Sequence, residues 1–259
     1  LDALARSGGG EVVVVGGGMA GVELALAIRA RANGAAPRGA PAGTLEGARG
    51  GQSVRVSLVS RDAVLASDRH PRVSRRLQRV CEARGIELRP PPTPVQLDAG
   101  RITLQHAGEL QRRRADLVVW ATGGEAAPWL AASGLPVDAR GFLLVDDRLQ
   151  SVGDPRVFAA GDSASLASWP DTPKAGVYAV RMGPRLVLAL AHALGDGARP
   201  DAYRPQQRFL ALANAGDGTA LASWGGLVAQ GRWAMRWKDW LDRRFMRRFA
   251  PPDGVRHSP

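Results

Sequence analysis

The segment from Glu11 to Ala25, EVVVVGGGMAGVELA, constrains the fold of this chain more than any other. Val12 to Val15 form a β-branched run suited to a strand buried on both faces, and an amphipathic helix follows the glycines at once. Gly16, Gly18 and Gly21 stand at G-x-G-x-x-G spacing, and each meets a different steric need. The first permits a tight turn, the second lets backbone approach a pyrophosphate, and the third lets helix and strand pack closely. A pyrophosphate there would rest on unpaired N–H groups at the positive end of the helix dipole. Three glycines at this spacing also arise by chance in a chain with 32 of them, but the strand-turn-helix setting favours nucleotide binding over a purely structural turn.

At 259 residues the chain can bury a substantial core, as one large domain or two modest ones. It has no run of 18 apolar residues, so no transmembrane helix is expected. The location expected is cytoplasmic. The opening LDALARSGGG has neither a starting Met nor the order of a signal peptide, so the sequence reads as a piece of something longer. A single cysteine, Cys81, excludes an internal disulfide and a C-x-x-C redox pair, and its helical setting suits a packed thiol. The formal charge of +11 would suit nucleic acid, but Lys174 and Lys238 are the only lysines. The remaining positive charge is arginine in an Ala-, Gly- and Pro-rich chain, with no nucleic-acid recognition motif beside it. His70, His106, His192 and His257 lack metal-ligand spacing, so no metal site is expected.

The fold class expected is α/β: a Rossmann-like dinucleotide-binding domain over 1–125, a second region over 126–204, and a small C-terminal region over 205–259. Residues 33–52, rich in Gly, Ala and Pro, read as a mobile surface insertion. Strands are expected at 54–59 and 86–88, two more across 95–105 around Asp98-Ala99-Gly100, and another within 115–123, with a helix at about 73–84. Further strands are expected at 142–145, 157–160, 209–213 and 220–224, and a helix at 174–194 with apolar Val177, Val180, Leu186, Leu188 and Leu190. Asp162 and Ser163 follow the 157–160 strand in a capping pattern, with the acid placed to bond a ribose or ribityl hydroxyl.

Four segments in order carry a resemblance: VVVVGGGMAGVELA, VVWATGG at Val118 to Gly124, VFAAGDSAS at Val157 to Ser165, and KAGVYAVRMGP at Lys174 to Pro184. Together they resemble the pyridine-nucleotide-disulfide oxidoreductase superfamily, the two-nucleotide flavoproteins that include type II NADH dehydrogenases. The resemblance implies an FAD-dependent NAD(P)H oxidoreductase, with 1–125 as a Rossmann-like NAD(P)-binding domain and 126–204 as the C-terminal part of an FAD-binding domain. It implies that Gly16, Gly18, Gly21 and Glu23 line the NAD(P)H site, that Thr122 and Gly123 form the crossover between domains, and that Gly161 and Asp162 serve the ribityl side of FAD. It also implies that the helix opened by Lys174 directs its N-terminus toward the flavin ring. The tail from Pro205 to Phe249 resembles the end of the flavoprotein module fused ahead of selenide, water dikinase in some organisms. A selenium or sulfur species then joins quinone as an electron acceptor to consider.

Three departures from that pattern matter. A complete member begins with its own FAD-binding glycine motif, and only ten residues precede Glu11 here. The acid expected after the second strand, which would hold an NAD ribose, is replaced by Ser60 with Arg61 beside it. Arg61 either pairs with the 2′-phosphate of NADPH or is one more exposed arginine. The paired glutamines of quinone-reducing members are absent along the Lys174 helix, where Val177, Arg181 and Met182 stand.

No side chain reads as a catalytic acid, base or nucleophile, which suits hydride transfer between cofactors. Glu23 is the one ionisable group expected near nicotinamide or flavin; its plainer role is a carboxylate complementing the helix dipole. In 231–249, Trp233, Trp237, Trp240, Leu241, Phe245 and Phe249 recur at steps of three and four, with arginines mostly elsewhere on the helix. Such a helix either lies on a membrane, here the inner face, or packs on a protein surface. The alternative to an enzyme is a non-catalytic nucleotide-binding or interaction module, accessory to a fused or partner enzyme.

Overall fold

The computed structural model describes residues 3–4, 9–34, 54–89 and 93–248. The expected insertion at 33–52 falls almost wholly outside them, and Phe249 of the aromatic series does too. The chain divides into two compact units. One combines the residues up to Thr122 with those from Leu210 onward, and the other spans Gly123–Phe209.

The first unit is built on a parallel sheet of order β3-β2-β1-β7, from β1 (Glu11–Val15), β2 (Arg55–Val59), β3 (Ile86–Arg89) and β7 (Leu117–Trp120). Strand β1 is central, with Val12 opposite both Val56 and Leu117. Its valines are at most 2% exposed because two cores share them. Val12 and Val14 join the main core, whereas Val13 and Val15 pack with Val59, Ile102 and Leu104. The latter two belong to an antiparallel meander of β4 (Thr93–Asp98), β5 (Arg101–His106) and β6 (Glu109–Arg114). A strand covered on both faces can be apolar at every position, which explains the uninterrupted run.

Helix α1 (Met19–Ala32) buries Gly21, Val22, Ala25, Leu26 and Ile28. Helix α2 (Pro71–Ala83) adds Val73, Leu77, Val80 and Cys81, with proline at its start and His70 Nδ1 accepting the N–H of Arg72 as N-cap. The C-terminal residues return to this unit as an antiparallel sheet, β10 (Leu210–Asn214), β11 (Ala220–Trp224) and β12 (Leu227–Gly231), followed by a C-terminal helix, Arg232–Met246. Ala213, Ala215 and Leu221 enter the same core as Val22 and Leu26. The turn after β10 rests on α1: Gly216 has φ +78°, and a Cβ there would collide with the carbonyl of Leu26.

The second unit has α3 (Pro128–Ala132), a parallel pair β8 (Leu143–Val145) and β9 (Ala164–Leu166), and the long helix α4 (Gly176–Ala193). Its core joins Val145, Leu149 and Leu166 to Tyr178, Met182 and Tyr203. The C-terminal helix of the first unit is α5.

Several expectations need correction. Residues 157–160 form no strand of a sheet; Phe158 makes one isolated bridge to Gln150, and the strand is 164–166. Asp162 and Ser163 lie inside a 3-10 turn, Gly161–Ser163, that has no side-chain cap, and the Ser163 hydroxyl donates instead to the Ala160 carbonyl. Helix α4 begins at Gly176, two residues later than expected, because Lys174 is drawn aside into other contacts. Strands β6 and β12 were not expected at all. The polar sequence ELQRRR of β6 shows no alternation, and its hairpin turn is set by Ala107 and Gly108 at φ +50° and +86°.

Candidate functional site

The glycine loop between β1 and α1 shows which glycines serve the fold and which leaves room for a ligand. Gly16 has φ +129°, donates its N–H to the Val59 carbonyl at 2.8 Å, and has no space for a Cβ against the carbonyl of Ala121. A Cβ at Gly21 would overlap the Gly16 carbonyl. Gly18 differs: its φ of −71° is open to any residue, and nothing lies within 4 Å of where its Cβ would be. Gly18 is the N-cap of α1, yet no side chain caps the helix and its first turn holds no acid. The first N–H groups of a helix have no intrahelical acceptor, so this end presents donors and a positive dipole to open space. The arrangement suits an anionic group such as a pyrophosphate.

At the neighbouring end of β2, Ser60 is only 5% exposed and lies under the loop, where a Cβ on Gly17 would strike its hydroxyl. The Ser60 Oγ accepts the N–H of Asp62 at 3.1 Å. Ser60 is thus a spacer beneath the loop, with no approach to a ribose. Arg61 points to solvent, its side chain 86% exposed, and its Nε is 3.9 Å from an Asp62 carboxylate oxygen. Glu23, one turn into α1, is half-buried, and its Oε1 accepts the backbone N–H of Asn214 at 2.7 Å. Sequence spacing could not have found this pair, whose members are 191 positions apart.

Thr122 and Gly123 are exposed and straddle the division between the units. In the second unit, Gly161 (φ +67°) donates its N–H to Met182 Sδ at 3.2 Å, which fixes the 3-10 turn against α4. Asp162 is exposed on that turn. Lys174 Nζ donates to the Ala164 carbonyl and lies 4.2 Å over the Phe142 ring. Burial holds its pKa below the ordinary lysine value, opposed by Asp138 and Asp162 and aided by Arg140. Asp138 in turn accepts the N–H groups of Arg140 and Phe142 at 2.9 and 3.0 Å. Gly161, Asp162, Lys174, Tyr178 and Met182 line one small pocket. The first turn of α4 contains no acid and no side-chain cap, and nothing stands within 4 Å of a Cβ at Gly176. The site residues therefore form two groups: Gly16, Gly18 and Gly21 with Arg61 nearby in one unit, and Gly161, Asp162 and Lys174 in the other.

Residues 2–183 match the pyridine nucleotide-disulphide oxidoreductase family. The chain belongs to this family. Two NADH dehydrogenase-like proteins of Mycobacterium tuberculosis, MT1860 and Rv1812c, are each 31% identical over 154 residues, 60% of this chain and 35% of theirs. The match thus spans about a third of those relatives. The sulfide:quinone oxidoreductase of Aquifex aeolicus superposes with a TM-score of 0.69 at 15% identity, over 95% of this chain and 59% of that one. NDH2 of Plasmodium falciparum, solved with NADH, gives 0.66 at 13% identity, over 91% and 62%. These structures share the α/β architecture with Rossmann-like topology.

Family members bind FAD and a nicotinamide nucleotide. The open end of α1 at Gly18 offers donors that suit a pyrophosphate, and the uncapped first turn of α4 offers donors near Asp162 and Lys174. Among the described residues no group of His, Cys, Asp and Glu is arranged to hold a metal. No helix there is long and apolar enough to cross a membrane.

Proposed function

We propose that this chain carries the nicotinamide-nucleotide side of an FAD-dependent NAD(P)H oxidoreductase, with Gly16, Gly18 and Gly21 forming the pyrophosphate cradle. The observation that carries the reading is the contrast at the loop: Gly16 and Gly21 are crowded by backbone, and Gly18 opens the uncapped end of α1 to space. A bound flavin would supply the redox chemistry that links a reduced nicotinamide to a small-molecule acceptor, a quinone or a sulfur or selenium species. The chain's own residues bind and orient. The α1 N–H groups hold phosphate, Glu23 faces the nucleotide, and Arg61 meets a 2′-phosphate when the donor is NADPH. The first turn of α4 offers N–H donors and a positive dipole to the electron-rich end of a flavin, beside Lys174 and the Asp162 carboxylate. The reaction belongs to the cytoplasm, where reduced nicotinamide is supplied.

Titration of the protein with NADH and NADPH, followed by nicotinamide fluorescence, tests the cradle. Absorbance after incubation with FAD separates an oxidoreductase from a non-catalytic nucleotide-binding module accessory to another enzyme. Saturable nucleotide binding with a bound-flavin spectrum is the expected result. Nucleotide binding without any flavin spectrum assigns the chain to the binding-module class, and no nucleotide binding overturns the reading.

A further inference from the structure

The second unit holds another cleft, at the far end of α4 from the pocket beside Lys174. Ala189 and His192 line it, and they stand about 20 Å along the helix axis from Gly176. The cleft has a volume of about 330 Å³. Its other walls are Arg148, Gln150 and Phe158 from the stretch after β8, and Arg199 and Pro200 from the chain that follows α4. Two guanidinium groups and an imidazole thus border one space, and no carboxylate lines it among the described residues. Cations near a helix C-terminus ordinarily complement its dipole. Here the last carbonyls of α4 are already taken: Leu190, Ala191 and His192 accept the N–H groups of Leu194, Asp196 and Gly195 at 3.0, 2.8 and 3.0 Å. Arg148 Nε donates instead to the Pro200 carbonyl at 3.1 Å, which anchors the side chain at the cleft wall and leaves its Nη groups unpaired among the described residues. Arg199 is exposed and makes no hydrogen bond or ion pair among them. His192 Nδ1 lies 3.2 Å from the Gly197 carbonyl, so this nitrogen carries the proton and Nε2 is uncommitted.

We propose that this cleft binds a mononucleotide, with its base against Phe158 and its phosphate on Arg148 and Arg199. Guanidinium forks arriving from two segments match a phosphate dianion, which a single lysine-type point charge would hold less specifically. The half-buried Phe158 gives the cleft an aromatic wall suited to a flat ring. Gln150 Nε2 is committed to the Pro155 carbonyl at 2.8 Å, so its Oε1 is the acceptor available to an exocyclic amine, as on adenine. His192 Nε2 accepts from a phosphate hydroxyl, or donates to a phosphate oxygen once protonated. Small-molecule sites run from about 300 to 1,000 Å³, and this cleft stands at the lower end, with room for one nucleotide and not for two. The site is separate from the glycine cradle, which belongs to the first unit.

The test is calorimetric titration of the full chain carrying Gly18→Val, which fills the glycine cradle, with AMP, adenosine and inorganic phosphate as probes. The unaltered chain saturated with NADH serves as a second background. AMP is expected to bind saturably in both, and adenosine and phosphate each at least about tenfold more weakly, because each keeps only part of the contacts. Arg199→Glu changes an exposed side chain with no bond to lose, so it should weaken AMP binding about tenfold or more with the thermal melt unchanged. Phe158→Leu keeps an apolar wall and removes the ring; it should weaken AMP and leave phosphate as it was. Absence of saturable AMP binding overturns the proposal, as does AMP binding that Arg199→Glu leaves unchanged. Phosphate that binds as tightly as AMP overturns it too, because the ring then adds nothing. With the cradle filled or saturated in every sample, none of these results bears on the reading of Gly16, Gly18 and Gly21.

Discussion

Glu23 and Asn214 join the dinucleotide-motif helix to the C-terminal sheet: Glu23 Oε1 accepts the Asn214 backbone N–H at 2.7 Å. The side chain proposed to face nicotinamide is thus held by a strand near the other end of the chain. One carboxylate oxygen is committed to that bond. Glu23→Gln keeps an acceptor for Asn214 and exchanges the other oxygen for a donor. It should retain stability within about 0.5 kcal/mol while weakening nucleotide binding. Glu23→Ala should lose about 1–2 kcal/mol in urea unfolding as well, because a half-buried N–H loses its partner. A Glu23→Gln protein that binds nucleotide like the wild type would leave Glu23 as a strut only.

The glycines of the loop should separate by readout. Gly18→Val adds a side chain in open space at an ordinary φ, so the melting temperature should hold while NAD(P)H binding is lost to steric filling. Gly21→Ala drives a methyl into the Gly16 carbonyl and should cost about 2–4 kcal/mol of stability. Thermal melts and fluorescence titrations on the two variants check both halves.

Arg61 stands beside a buried serine where an acid would hold the ribose of NAD. Arg61→Glu should therefore turn preference away from NADPH, by a factor of about ten or more, consistent with loss of one charge-assisted contact. Parallel NADH and NADPH titrations measure it, and an unchanged ratio removes Arg61 from the nucleotide site.

Lys174 supplies a pH signature. Its folded-state pKa lies below the ordinary lysine value because burial disfavours the ammonium. Between that value and 10.5 the unfolded chain holds more protons, so stability rises with pH across the interval. Lys174→Met should remove this rising contribution. Urea midpoints of both proteins from about pH 8 to 10.5 give the comparison, and parallel curves contradict it.

Cys81 is fully buried, and burial, with the Glu82 carboxylate adding to it, pushes its thiol up to about 12. It should resist alkylation in the native protein at neutral and mildly alkaline pH and react once the chain is unfolded. Rapid native labelling, followed by mass spectrometry, would show that this part of α2 opens.

The sequence was most legible where local pattern and burial coincide. The Val12 to Val15 run and its glycines specify strand, turn and helix by themselves, because two cores cover β1 and backbone collisions require glycine at positions 16 and 21. Legibility failed where tertiary contacts decide. Lys174 leaves the start of α4 because Ala164 and Phe142 hold it. Strand β6 forms from a polar segment because β5 pairs with it in register, Arg101 opposite Arg114. The tryptophans of α5 were visible as a helical stripe, but their outward direction depended on Ala234 and Met235 fitting the alanines of β11.

The buried Ser60 beneath Gly17 also limits how cofactor preference can be re-engineered in this scaffold. An aspartate or glutamate placed at position 60 would have no solvent to turn toward and would lift the loop it was meant to serve. Selectivity must be rewritten at Arg61 and Asp62, on the rim, leaving position 60 small.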